Sequence, residues 1–145
     1  MRIITYTFIQ MLSKKTRYAM VALVYLAKEG EQMPIMSTQI ARSENIPQRF
    51  LENILLDLKK MGVLGSKLGK SGGYYLIKKP EDVRLSDIVR HFEGAIAMLF
   101  CVSEKQYQPC EFCKDESTCK IRGVFKEIRD TTYGILEKTT LRDLV

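Results

Sequence analysis

All four cysteines of this chain fall between Cys101 and Cys119, spaced C-x8-C-x2-C-x5-C. Between the thiols lie Pro109, charges and small polar residues with no hydrophobic period, so the segment reads as a loop presenting sulfur. A core would scatter its cysteines. Nothing constrains the fold more, because the loop divides the chain: packing must be achieved before it and after it, with sulfur displayed between the two parts.

Ahead of the loop the periodicity is helical. Ser13 is placed to cap a helix in which Ala19, Ala22, Leu23 and Leu26 recur at i, i+3, i+4 and i+7 before Gly30 stops it. Met33 to Met36 reads as a connector. Ser37 opens a shorter helix through Glu44, with Ile40 and Ala41 turned inward. After a turn at Asn45-Ile46, Pro47 suits the first position of a third helix. Its apolar face is Phe50, Leu51, Ile54, Leu55, Leu58 and Met61, and Gly62 ends it.

Two short helices joined by so tight a turn are what a helix-turn-helix requires. Gln48, Arg49 and Asn53 lie off the apolar stripe, and Ser37 and Thr38 open the preceding helix, which makes these five the candidate DNA contacts of the pair. Gln48 and Arg49 are the choices for base edges. Val63 to Ile77 then reads as two short strands around a glycine-rich tip, a wing, with Lys67 and Lys70 placed for phosphates or a minor groove. Of the tyrosines on its second strand, Tyr74 and Tyr75, one points in and one out. Gly65 to Ser71 resembles a phosphate-binding P-loop, but it has three residues between its glycines where four are needed and lies between two strands.

Ser86 is the expected cap of a fourth helix, Asp87 to Glu93, ended by Gly94. His91, the only histidine, sits on it beside Phe92 and reads as structural. Beyond the cysteines, Ile121, Val124, Phe125, Ile128, Thr132, Ile135 and Leu136 mark a helix about 28 Å long. So long a stripe at the end of a small protein implies packing on a second copy. The fold class is therefore mainly α with a small β-wing: a winged helix-turn-helix domain plus a long C-terminal dimerisation helix. Residues 1–10 read as an extension ahead of Met11, 11–94 as the DNA-binding domain, 95–120 as the cysteine-rich sensory loop, and 121–145 as dimerisation helix and tail.

Charge follows the same division. Residues 1–79 hold 13 Lys and Arg against 5 Asp and Glu, whereas residues 80–145 hold 10 against 12. The cationic half is the half with the helix-turn-helix, which points to a polyanion partner. No run approaches the roughly 20 apolar residues of a membrane span. Nor does Met1 to Gln10 carry a signal-peptide cleavage site, so a cytoplasmic protein is expected. For the cysteines four chemistries stay open: an iron–sulfur centre, for which a sulfur-only ligand set is suited; zinc, despite the loose x8 spacing; a thiol or disulfide switch; and inert thiols. No catalytic constellation is present, and an enzyme is not expected.

Several segments together carry a family resemblance: Met11-Leu-Ser-Lys-Lys-Thr-Arg-Tyr-Ala19, Pro47-Gln-Arg-Phe-Leu-Glu52, Gly69-Lys-Ser-Gly-Gly-Tyr74, Asp87-Ile88, the cysteine loop and Thr140-Leu-Arg-Asp-Leu144. In order and spacing the chain resembles the Rrf2 family, the IscR/NsrR-like winged-helix transcriptional regulators, over about residues 11–145. The resemblance implies a homodimer on palindromic double-stranded DNA, with the third helix in the major groove. It also implies an iron–sulfur cluster, 2Fe-2S or 4Fe-4S, that need not survive purification. The family's recurring C-x5-C falls on Cys113 and Cys119, leaving Cys101 and Cys110 for the upstream ligand. One branch has a histidine three positions after the last cysteine, where this chain has Arg122. A DNA-binding regulator responding to its cluster or thiol state is the first reading. The alternative is a small redox or metal-binding protein, zinc or iron–sulfur, without specific DNA recognition.

Overall fold

The computed structural model describes residues 12–29 and 33–145, so the extension expected at residues 1–10 and the Gly30 stop lie outside the described residues. Helix α1 (Lys14–Glu29) buries Ala19, Ala22, Leu23 and Leu26 on the expected face. Ser13 caps it, its Oγ accepting the Thr16 N–H at 3.2 Å. Helix α2 (Ser37–Ser43) buries Ile40 and Ala41. The turn that follows is made by Asn45, at φ 52°. Asparagine tolerates that left-handed conformation better than most residues.

Helix α3 (Gln48–Lys60) buries Leu51, Ile54, Leu55 and Leu58. Truncating any of these four to alanine costs about 2–5 kcal/mol. Two expectations shift slightly. Pro47 is the N-cap and not the first helical residue, because its ψ of 125° is still extended. Phe50 stays 36% exposed at the edge of the stripe, its ring meeting Tyr18 edge-on at 5.7 Å. The helix closes as a Schellman motif: Gly62, at φ 73°, donates its N–H to the Lys59 carbonyl at 2.9 Å, and Val63 donates to Leu58 at 3.1 Å.

Strands β1 (Leu64–Lys67) and β2 (Gly73–Leu76) form the antiparallel wing, Leu64 opposite Leu76 and Lys67 opposite Gly73. Tyr74 packs on the core and Tyr75 faces out. The connector before α2 does more than connect. Ile35 exchanges both backbone hydrogen bonds with Tyr74, at 2.9 and 2.8 Å, as a one-residue third strand. Gly73 permits this: its φ is +144°, and a Cβ there would stand 2.3 Å from the Ile35 carbonyl.

Helix α4 spans Leu85–Glu93 and ends at Gly94. It begins two residues earlier than expected, and Ser86 is not its cap. Arg84 bridges Thr140, and the Leu85 N–H is taken by the Thr139 carbonyl at 3.0 Å, so backbone from the end of the chain serves the helix start. Ser86 is wholly buried inside the first turn. The last residues form a 3-10 turn (Leu141–Leu144) with a Thr140/Asp143 capping box, and Leu141 joins the core of α1, α2, α3 and β1.

Helix α5 (Lys120–Lys138) packs against α4 with its polar side. Ser86 donates to Glu137 at 2.7 Å and Arg84 pairs with the same carboxylate. Arg90 lies over the Tyr133 ring at 4.2 Å. The apolar stripe faces the other way: Ile121, Val124, Ile128 and Ile135 are 40–67% exposed, and no residue of α5 is buried.

Candidate nucleic-acid interface and cysteine loop

The outward faces of α2, α3 and the wing carry the charges that sequence reasoning singled out. Thr38, Arg49, Asn53, Lys67 and Lys70 are all exposed, and the three cations form no ion pair with any described residue. Asp57, which would dilute that field, is instead engaged by Lys15 of α1. A hydrogen bond from Lys15 at 2.6 Å holds its carboxyl below the usual carboxylate range, against the opposing effect of burial and with help from the charges of Lys15, Lys60 and His91.

Gln48 has a different setting. Its amide donates to Ser37 Oγ at 2.9 Å and to Glu52 Oε1 at 2.8 Å, so it ties the start of α2 to α3. Arg42, outside the candidates read from the sequence, adds a further exposed cation beside them. It is exposed one turn after Thr38, and with Tyr25, Thr38, Gln39 and Ser43 it lines a shallow concavity of about 420 Å³. The i, i+4 spacing of Thr38 and Arg42 was the available signal. The wing is fixed to α3 by Lys59, which donates to Ser66 Oγ at 2.6 Å.

At the other end of the molecule all four cysteines line one cleft of about 310 Å³, walled by Leu99, Phe112 and Ile121. Cys101 is buried in a 3-10 turn (Phe100–Val102), while Cys110, Cys113 and Cys119 are half-buried. Cys119 is the N-cap of α5, its sulfur accepting the Arg122 N–H at 3.4 Å. That bond draws the Cys119 thiol below its ordinary value, aided by the Cys113 hydrogen bond and the Ile121 N–H against some desolvation. Desolvation first, and then the Cys119 contact, push Cys113 up. A set of four sulfurs suits a thiophilic group in chemistry. As arranged, however, no three Cys, His, Asp or Glu side chains among the described residues gather closely enough to hold a metal ion.

Two arginines of α5 bind the loop to the helix. Arg122 Nε donates to the Cys101 carbonyl at 3.2 Å, and Arg129 donates to the Val102 carbonyl. Glu104 follows in the same segment and pairs with both Arg90 of α4, at 3.3 Å, and Arg129, at 4.0 Å. No helix among the described residues is long and apolar enough to cross a membrane.

Known proteins resemble this chain along most of its length. The model of the Rrf2 family, described as an iron-dependent transcriptional regulator, matches residues 12–145. An rrf2-like HTH-type transcriptional regulator of Rhodobacter capsulatus is 44% identical over 138 residues, covering 93% of this chain and 92% of its own. Among solved structures, CymR, the global cysteine regulator of B. subtilis, superposes with a TM-score of 0.77 at 29% identity, over 92% of this chain and 94% of its own. IscR of T. potens, at 23% identity, shares the fold with a TM-score of 0.71, over 92% of this chain and 84% of its own. With a basic helix-turn-helix and wing on one side and a near-complete match on the other, the chain belongs to the Rrf2 family of DNA-binding transcriptional regulators, which are not enzymes.

Proposed function

We propose that this chain works as a homodimer on a palindromic operator, and that its affinity responds to an iron–sulfur cluster or to the thiol state of the loop from Cys101 to Cys119. One observation carries the reading: the loop is joined to α5 at both ends. Cys119 caps the helix, while Arg122 and Arg129 hold the Cys101 and Val102 carbonyls. Whatever gathers the thiols therefore pulls on the first turns of α5, and Glu137 and Tyr133 carry the shift to α4 and the winged domain. In a dimer that shift alters the spacing of two half-sites.

Cys101, Cys110, Cys113 and Cys119 are the residues that would hold a cluster, and a cluster when bound supplies reversible electron transfer to the loop. The iron-dependent description of the family supports this reading. The influence of Cys113 and Cys119 on each other's titration supports a thiol state. On the DNA side, Arg49 and Asn53 serve base edges, and Ser37, Thr38, Lys67 and Lys70 serve backbone or minor groove. Gln48 remains a base-edge candidate beside Arg49 while its amide also ties the start of α2 to α3.

The test is anaerobic purification with an absorption spectrum and iron and sulfide analysis, followed by titration of a duplex that the protein itself selects from a random pool. Cys113→Ser and Cys119→Ser are expected to abolish visible absorbance and shift DNA affinity. Lys70→Ala is expected to reduce the slope of log affinity against log salt by about one. If the chain has no chromophore and its affinity ignores both oxidant and the serine variants, the sensing reading fails. An unchanged salt slope removes Lys70 from the phosphates.

A further inference from the structure

A single exposed leucine on a folded surface is ordinary. Leu68 differs because of where it stands and what holds it there. At the tip of the wing it is 95% exposed, between the unpaired Lys67 and Lys70. The inside of the hairpin is filled by its own backbone: Gly72 is buried, and a Cβ on it would lie 2.2 Å from the Lys67 carbonyl oxygen and 2.8 Å from the Leu68 carbonyl carbon. The Gly72 N–H is donated to Gly69 at 3.0 Å, closing the tip. The hairpin is anchored as well, to α3 through Lys59 and Ser66 and to the segment before α2 through Ile35 and Tyr74. Leu68 is thus held outward at a fixed position relative to α3, an apolar side chain at the tip of a cationic finger.

Resting on the DNA-binding reading above, we infer that Leu68 is a specificity-determining residue. It enters the minor groove beside the major-groove segment read by α3, with Lys67 and Lys70 on the flanking phosphates, and selects A·T pairs there. The groove floor of an A·T pair presents only acceptors, whereas a G·C pair adds the guanine amino group. A leucine pressed against that amino group strips its water and offers no acceptor in return. The lysines cannot make this distinction, because phosphates carry no sequence.

The test uses the full chain and a randomised duplex pool, sequencing what is enriched by the wild type, Leu68→Ser, Leu68→Met and Lys70→Ala. Wild type and Leu68→Met are expected to enrich A·T pairs beside the major-groove half-site. Leu68→Ser is expected to keep the half-site and lose the flanking preference, while Lys70→Ala weakens all sequences together. In the selected duplex, changing one such A·T pair to G·C lowers wild-type affinity about tenfold. An inosine·C pair, which lacks the amino group, restores it. Leu68→Ser narrows the G·C penalty to about twofold. A flanking preference that survives in Leu68→Ser, or an inosine·C pair as weak as G·C, overturns the assignment and leaves DNA binding standing. A wild-type chain that enriches no sequence overturns both. Misfolding does not confuse the result, since a side chain so exposed has almost no contacts to lose.

Discussion

Glu93 shows how one side chain can complete a motif that its neighbours leave unfinished. A capping box needs a serine at the N-cap and a carboxylate or amide three residues later, reaching back to the cap's own N–H. Ser13 supplies the first half, but the third position is Thr16. The carboxylate comes instead from 80 residues away: Glu93 Oε1 accepts the Ser13 N–H at 2.8 Å and the Thr16 hydroxyl. Burial pushes its carboxyl up, yet the Thr16 and Ser13 hydroxyls and the Ser13 N–H outweigh it, so Glu93 titrates below the ordinary glutamate range. A folded pKa below the unfolded one gives stability that is full above the unfolded value of about 4.3 and lost as pH falls through the folded value. Glu93→Gln is therefore expected to lower the unfolding free energy by about 1–2 kcal/mol at neutral pH. Urea denaturation of both proteins from pH 7 to pH 3 checks this, and the gap should close at the acid end. A gap of full size at pH 3 would assign the effect to packing. Ser13 could be read from the sequence because a cap lies beside the helix it serves; Glu93 could not, since nothing local marks a partner eighty positions away.

Among the elements, the wing depends on backbone contact more than on side chains. Its two strands are only four residues each, too short for independent stability. The Ile35 bridge fastens them to the start of α2, and Gly73 is what allows that bridge. Gly73→Ala is expected to push β2 off Ile35, cost roughly 2–3 kcal/mol in a chemical denaturation curve, and weaken DNA binding at all sequences. Normal stability with normal affinity would mean that the wing tolerates the gap. Periodicity made α1, α2, α3 and α5 legible, and glycines bounded the wing. A one-residue strand has no period, so Ile35 read as connector. The onset of α4 was misplaced for a related reason. Ser86-Asp87 has the composition of a cap, but the Thr139 carbonyl had already met the Leu85 N–H, which freed Ser86 to turn inward to Glu137. Composition marked the cysteine segment as irregular but not that Cys101 is buried in a turn, and the attachment through Arg122 and Arg129 reaches backbone carbonyls, which carry no sequence signature.

For the molecule as a whole, α5 is amphipathic in the reverse sense. A helix packed on its own domain turns its apolar stripe inward, but this one spends Arg122 and Arg129 on the cysteine loop and Tyr133 and Glu137 on α4, and leaves Ile121, Val124, Ile128 and Ile135 exposed. The polar side thereby transmits the state of the loop, and the apolar side is free to meet the same stripe of a second copy, as two-fold pairing requires. Covering one such isoleucine yields about 1.5–3 kcal/mol, so a few of them on each chain can hold a dimer at working concentrations. A charge in the middle of the stripe reverses that gain, because a glutamate opposite its own twin is both desolvated and repelled. On the proposed dimer, Ile128→Glu with Ile135→Glu is therefore expected to sediment as a monomer and the wild type as a dimer at the same concentration. The winged domain should be untouched, since neither side chain belongs to its core. The double variant should then hold a single half-site as the wild-type domain does, but lose roughly a hundredfold on a duplex carrying both half-sites, the advantage of a linked second contact. If it remains a dimer, another face joins the two chains; if it is a monomer that keeps the full preference for the paired duplex, the half-sites are coupled without the α5 stripe, and loop chemistry does not act through that stripe.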